Sequence, residues 1–344
     1  MHSEKGPILR DQDKDHKKLD NSRRKFLGAV SVSMATLACG GASRMSEDQA
    51  AQIPLTAKVR GGDEKAPPRI QIHHNEWGLL GLPRGGKEWS IEEKVRRVKE
   101  AGFVGWEMDT GKDFESQVLE LLAKYKLDLG MGCAPRTFTD MRKDIESAKK
   151  AGAKYLVPVA GHPVGAYMSD DETFAYVRDS MKVAADNDMP LLWETHRGSL
   201  TQSPYRLMRL LERVPQMRFC ADLSHWAVVD GNGGSAERMI QAWGPALDRC
   251  NGIQCRISNG AQVQLDVGDG STKLAQEWMK LWAEIMRRWL KRAQPGEFLP
   301  VAPELGPPGY SIVGPDGKEV SDRWEQSLVM KKLTEQAWEL AQKV

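Results

Sequence analysis

Leu191-Leu192-Trp193-Glu194-Thr195-His196-Arg197, Phe219-Cys220-Ala221-Asp222-Leu223-Ser224-His225 and Phe298-Leu299-Pro300-Val301-Ala302-Pro303-Glu304 share one design. In each, an apolar run of strand length closes on an acidic residue, Glu194, Asp222 or Glu304. Between the second and third lies a fourth such run, Gly252-Ile253-Gln254-Cys255-Arg256. A carboxylate that closes an apolar strand is expensive to bury unless something neutralises it, and a divalent cation does so. The spacing therefore points to a metal site assembled from successive strands.

Strand-like runs recur at Ile70–Asn75, Val104–Asp109, Leu127–Gly132, Tyr155–Ala160, Pro190–His196, Arg218–Leu223, Gly252–Ile257 and Phe298–Glu304. They alternate with amphipathic stretches at Ile91–Ala101, Phe114–Tyr125, Asp140–Ala151, Asp171–Asn187, Tyr205–Val214, Ala236–Ala246, Leu274–Arg292 and Asp322–Gln342. The helical runs carry apolar residues three and four apart, as in Val118, Leu119, Leu121 and Leu122. Eight strands alternating with eight helices predict an α/β (β/α)8 TIM barrel over residues 68–344. A doubly wound open sheet is the alternative, but no GxGxxG follows the first strand.

The 344 residues suffice for one barrel of about 250 residues plus extensions. The formal charge is +2, but residues 51–344 hold 40 basic and 40 acidic side chains, so the folded part is neutral. It shows no basic stripe of the kind that tracks a phosphate backbone, which argues against nucleic acid as a partner.

Residues 1–44 read as an address. A polar lead reaches Ser22-Arg23-Arg24-Lys25-Phe26-Leu27, then a moderately apolar, uncharged run from Gly28 to Ala38. The paired arginines resemble a Tat export signal, and the run is too short to span a bilayer as a mature helix. The expectation is passage through the Tat translocon to the periplasm. Cys39 followed by Gly40 hints at a lipid anchor, although Thr36 stands where a lipobox takes an aliphatic residue. Residues 45–67 read as a polar linker. Cys133, Cys220, Cys250 and Cys255 form no CxxC pair, and buried free thiols are the expectation.

In such a barrel, catalytic residues stand at the carboxyl ends of strands. Glu194 and His196 are two apart and share one side of the fifth strand, as do Gln254 and Arg256 on the seventh. Asp222 ends the sixth, with His225 just beyond, and Glu304 ends the eighth before the Gly306-Pro307-Pro308-Gly309 turn.

Trp193-Glu194-Thr195-His196-Arg197-Gly198, Asp222-Leu223-Ser224-His225-Trp226 and Pro303-Glu304-Leu305-Gly306-Pro307 resemble the xylose-isomerase-like barrel superfamily, AP endonuclease 2 type. Within it the sequence is most similar to the sugar phosphate isomerases/epimerases, and the resemblance runs from Pro68 to the C-terminus. It implies one divalent ion, Mn²⁺ or Mg²⁺, held by Glu194, Asp222, the seventh-strand position and Glu304. At that position relatives read His-Ala-Arg, whereas this chain reads Gln254-Cys255-Arg256. A glutamine oxygen can still coordinate, giving an all-oxygen set that suits a hard ion. If it does not, the site is weakened or empty.

The implied chemistry is proton transfer beside a carbonyl through an enediolate, with Glu194 and Glu304 as acid and base on opposite faces of the substrate. By the same resemblance His196, Arg197 and His225 hold substrate oxygens, Arg256 steadies negative charge, and Glu107 faces the substrate from the second strand. His196 and Arg197 fit nearly as well as a structural hydrogen-bonded pair. His73, His74 and His162 are weaker candidates, and Trp77, Trp106, Trp193 and Trp226 are either sugar-stacking or core.

Three functions remain open: an exported isomerase or epimerase of a small carbohydrate, a lyase or hydrolase of keto-glycosides on the same metal site, and a non-catalytic carbohydrate-binding barrel. The superfamily's zinc endonucleases lack counterparts here, since the seventh strand has no histidine.

Overall fold

A computed structural model describes residues 53–113, 115–160 and 165–343. The expected export segment 1–44 with Cys39, the first part of the 45–67 stretch, and His162 lie outside the described residues.

Eight strands form one parallel sheet: β1 (Arg69–Asn75), β2 (Gly105–Asp109), β3 (Asp128–Cys133), β4 (Leu156–Pro158), β5 (Trp193–Glu194), β6 (Phe219–Ala221), β7 (Cys250–Cys255) and β8 (Phe298–Pro303). The order is β4-β3-β2-β1-β8-β7-β6-β5, so the first strand is bonded on both sides, to β2 and to β8. The remaining gap is bridged at Leu156 and Leu191, where Leu156 N–H donates to Pro190 O and Leu192 N–H donates to Leu156 O, both at 2.9 Å. The sheet closes on itself. The expected TIM barrel is what forms, and the open doubly wound alternative falls away.

The helices described are α1 (Ile91–Glu100), α2 (Glu115–Tyr125), α3 (Phe138–Ala151), α4 (Asp170–Asp186), α5 (Pro204–Arg213), α6 (Leu223–Asp230), α7 (Ala236–Leu247), α8 (Lys273–Leu290) and α9 (Arg323–Ala341). Local chemistry fixes their ends. Thr137 with Asp140 and Ser169 with Glu172 form reciprocal capping boxes at the starts of α3 and α4. Gly152, at φ 78°, ends α3 in the left-handed conformation that costs glycine least. Eight helices lie within one or two residues of expectation. The ninth, α6, follows β6 directly and is not among the amphipathic stretches of the sequence.

The fourth and fifth strands are shorter than the runs Tyr155–Ala160 and Pro190–His196 that predicted them. Only one bridge joins these two edges, and Pro190 has no N–H to extend it.

Residues 53–66 lie along the N-terminal end of the barrel. Val59 is buried in a cluster with Tyr155, Val157, Leu192, Cys220 and Phe298, and Phe298 N–H donates to Val59 O at 3.2 Å. Gly61 N–H reaches Gly296 O at 3.0 Å. The stretch with linker-like composition thus contributes a floor to the barrel. The four described cysteines are buried free thiols, as their strand positions suggested.

Candidate active site

At the carboxyl ends of the strands a cavity of about 270 Å³ opens, lined by Glu107, Glu194, His196, Gln254, Glu304 and Tyr310 among others. Its volume suits a ligand of monosaccharide size better than a chain of sugars.

Glu194 is the last residue of β5, Gln254 the penultimate of β7, and Glu304 follows β8 immediately. Asp222 follows β6 and also starts α6, where its Oδ1 accepts hydrogen bonds from Ser224 N–H at 3.1 Å and Ser224 Oγ at 2.5 Å. Carboxylate oxygens of Glu194, Asp222 and Glu304 lie within 4.8 Å of one another. The first three strand-end acids are thus brought together as expected, and Gln254 lines the same cavity.

Three carboxylates so close, all less than a tenth exposed, repel one another strongly. Burial, then the charges of Glu304 and Asp222, holds the Glu194 carboxyl well above the usual range. Burial likewise pushes Glu304 up to about 8, against the opposing pull of Arg256. Burial would also raise Asp222, but the Arg256 guanidinium outweighs it, helped by His225 and the Ser224 hydroxyl, and its carboxyl stays below the usual value.

Arg256, on the segment after β7 and 1 % exposed, is ion-paired with Asp222 Oδ2 and stands 3.7 Å from Glu304 Oε1. Its Nε donates to Ser224 Oγ at 3.1 Å. Expected to steady charge on a substrate, it is paired with Asp222 through Nη2 while its buried Nη1 has no partner within the protein, and its guanidinium lies 4.9 Å from the Tyr310 ring centre.

Gln254 Oε1 and Glu304 Oε2 are buried and have no hydrogen-bond partner within the protein. Two orphaned acceptors beside two further carboxylates form a surplus of negative oxygen that a hard divalent cation relieves. The residues present fit such an ion. Glu194, His196 and His225 also converge within 4.8 Å, but they share Glu194 with the first group.

The His196 and His225 rings lie against one another, centres 4.0 Å apart and planes tilted by 51°. Burial depresses both, His196 to about 4 and His225 to about 2, so each is a neutral imidazole. His196 Nε2 pairs with Tyr310 Oη at 3.2 Å, while His225 Nε2 lies 3.4 Å from Asp222 Oδ2 and its buried Nδ1 has no partner. Arg197 rests over the Tyr310 ring at 4.8 Å. Glu107, at the second strand, lines the cavity as expected.

The tryptophans divide. Trp106, Trp193 and Trp226 are fully buried core, and only Trp77 of the four lines the cavity, edge-on to Tyr310 at 5.0 Å. Neither His73 nor His74 lines it. His74 packs against Phe103 and Trp324, and His73 turns to the barrel interior beside Tyr155 and Phe298.

Sequence reasoning missed Tyr310, Glu76, Asp109 and Ser224. Glu76 and Asp109 carried the same signal as Glu194, an acid at the end of an apolar run, and both line the cavity. Tyr310 follows the Gly306–Gly309 turn, whose glycines are needed: a side chain at Gly306 would overlap Trp77.

The family model for xylose isomerase-like TIM barrels matches residues 95–270, and the chain belongs to that family. No curated protein matches it. Among solved structures, a D-allulose 3-epimerase from Methylomonas sp., in complex with D-allulose, is 14% identical, with a TM-score of 0.55 over 83% of this chain and 100% of that one. A xylose isomerase-like TIM barrel protein from Mycobacterium smegmatis, in complex with magnesium, is 13% identical, with a TM-score of 0.51 over 79% and 97%. A sugar phosphate isomerase/epimerase from Parabacteroides distasonis is 12% identical, with a TM-score of 0.50 over 84% and 100%. At such identities the likeness is one of fold.

Proposed function

We propose that this chain is a metal-dependent sugar isomerase or epimerase that moves a proton at a carbon beside a carbonyl, with Glu194 and Glu304 as the acid and base. One observation carries the reading: two buried glutamates from strands β5 and β8 line a monosaccharide-sized cavity together with an unpaired Gln254 oxygen, and Asp222 completes an all-oxygen set. A divalent cation bound by Glu194, Asp222, Gln254 and Glu304 would supply positive charge against the anion that develops as the proton leaves. The oxygen-only donors favour Mn²⁺ or Mg²⁺ over softer ions.

The protein's own groups do the rest. Glu194 and Glu304 reach the cavity from different strands, so each can address its own face of a flat substrate carbon. Removal of the proton by one and its return by the other inverts the centre, whereas return to a neighbouring carbon shifts the carbonyl. Neutral His196 and His225 can exchange hydrogen bonds with hydroxyls without adding charge. Tyr310 and Trp77 form the aromatic wall, which restricts water. Cavity carboxylates at Glu76, Glu107 and Asp109 disfavour a phosphorylated or acidic substrate and favour an uncharged one.

We also infer export through the Tat translocon to the periplasm, on the strength of Arg23-Arg24 ahead of the weakly apolar run. The catalytic reading is tested by incubating the Mn²⁺-loaded protein with neutral ketohexoses, D-allulose among them, and following the sugars by NMR. Appearance of an epimer or aldose, abolished in Glu304→Gln, is the expected result; an unchanged panel overturns it.

A further inference from the structure

Glu107 is tied to the far end of the barrel by an unbroken line of hydrogen-bonding groups. The Tyr155 hydroxyl lies 2.5 Å from Glu107 Oε1 and 2.9 Å from His73 Nδ1, and His73 Nε2 lies 3.2 Å from Gln71 Oε1. Tyr155 and His73 are completely buried, Glu107 lines the cavity, and Gln71, two residues back along β1, is partly exposed. Two glycines make room for the line. A β-carbon at Gly105 would overlap the His73 ring, and one at Gly130 would overlap the Tyr155 ring.

We propose that Glu107 is a proton-holding residue of the cavity, recharged from the N-terminal end of the barrel through His73 and Tyr155. The proposal rests on the isomerase reading for its purpose, but not for its test.

Donor and acceptor accounting allows two settings. A neutral imidazole offers one donor and one acceptor, and a phenol one proton. With Glu107 ionised, Tyr155 O–H donates to Glu107, His73 Nδ1–H donates to the Tyr155 oxygen, and His73 Nε2 accepts from the Gln71 amide. With Glu107 protonated, every bond reverses. Glu107 O–H donates to Tyr155, Tyr155 O–H donates to His73 Nδ1, and His73 Nε2–H donates to Gln71 Oε1. The second setting holds one proton more. That proton binds His73 Nε2, the Nδ1 proton passes to Tyr155, and the Tyr155 proton passes to Glu107, so three bonds form and two break with no charge left on the ring or phenol. Gln71 turns its amide over to complete the change.

The surroundings keep both settings within reach. Burial raises Glu107 to about 7, opposed by the Tyr155 hydrogen bond and reinforced by Asp109. Burial lowers His73 to about 3, which keeps it a neutral relay. The other groups whose charge bears on Glu107 are Glu194, Glu304 and Cys220. A substrate that fills the mouth would cut Glu107 off from water on that side, and the line behind it remains as a route for its proton.

The test follows the His73 tautomer in the full chain labelled with ¹⁵N-histidine, the resonance being assigned with His73→Gln. In the wild type the imidazole proton is expected to move from Nδ1 to Nε2 as pH falls through 7. In Tyr155→Phe, and in Glu107→Gln, the tautomer should stop responding over that range. Glu107→Gln keeps the shape of the site and guards against a misfolded Tyr155→Phe. A wild-type tautomer that stays fixed across the range, or one that still switches in Glu107→Gln, overturns the proposal. With D-allulose and Mn²⁺, Tyr155→Phe should lower kcat at least tenfold with KM unchanged. A wild type that turns over no ketohexose defeats the isomerase reading while the tautomer result still decides the relay.

Discussion

The Arg256 guanidinium and the Asp222 carboxylate form an ion pair inside the barrel, with side chains 1 % and 0 % exposed. Each is one of the most buried charged groups in the molecule, and each is the other's main compensation. A cation bound as proposed would therefore share Asp222 with the guanidinium.

Removing the guanidinium leaves a buried carboxylate unpaired, which typically costs about 3–5 kcal/mol. Arg256→Met should lose that much in urea unfolding without added metal, and markedly less with saturating Mn²⁺, because the ion replaces the lost charge. Equal losses under the two conditions would show that Arg256 and the ion do not share Asp222.

The metal itself should stabilise the fold. At a hundredfold excess over its Kd, a ligand specific for the folded chain adds about 2.7 kcal/mol. Thermal unfolding with and without Mn²⁺ should show that gain in the wild type and lose it in Glu304→Gln. Gln254→His should keep or tighten binding, since it places on the seventh strand the histidine that the resemblance implies. Abolished binding in Gln254→His would mean that the assignment of the seventh strand is wrong.

Stability should depend on pH through Glu107. Its folded pKa is raised from 4.5 to about 7, so its contribution is full below 4.5 and is lost as pH rises through 7. The sign is opposite for His73 and His74, lowered to about 3 and about 4, whose contributions are present above 6.5 and lost as pH falls. Comparison with Glu107→Gln isolates the first group. The wild type should lose stability relative to the variant by on the order of 3 kcal/mol between pH 4 and pH 8. A difference that stays constant in urea titrations across that range contradicts the assignment.

The fold and half of the site were legible because continuous apolar runs that end in acids are local facts. Glu107, Glu194, Asp222, Gln254 and Glu304 each announce themselves within seven residues. What was not legible depends on closure. Tyr155 meets Glu107 and His73 across the barrel, though it stands 48 and 82 positions from them in sequence. No local pattern encodes that meeting. Arg256 was legible as a site residue, but its commitment to Asp222 arises only when β6 and β7 lie side by side. Helix α6 escaped because Leu223-Ser224-His225-Trp226-Ala227 is buried without a break and shows no polar face. Val59 escaped because one apolar residue among charged neighbours looks like linker until a barrel floor covers it.

Export is tested by Arg23→Lys combined with Arg24→Lys. The double variant should stay folded in the cytoplasm with its leader uncleaved, as shown by cell fractionation. Wild-type levels outside the cytoplasm would replace the Tat route with a general secretory one.

The central claim is that Glu194 and Glu304 move a carbon-bound proton. The most direct measurement is deuterium incorporation into D-allulose and its isomers in D₂O, with Mn²⁺, for the wild type, Glu194→Gln and Glu304→Gln. The account predicts one deuterium at the carbon beside the carbonyl in the wild type, and at least a hundredfold slower uptake in both variants, as loss of a general acid or base does. Uptake at the wild-type rate in either variant would contradict it.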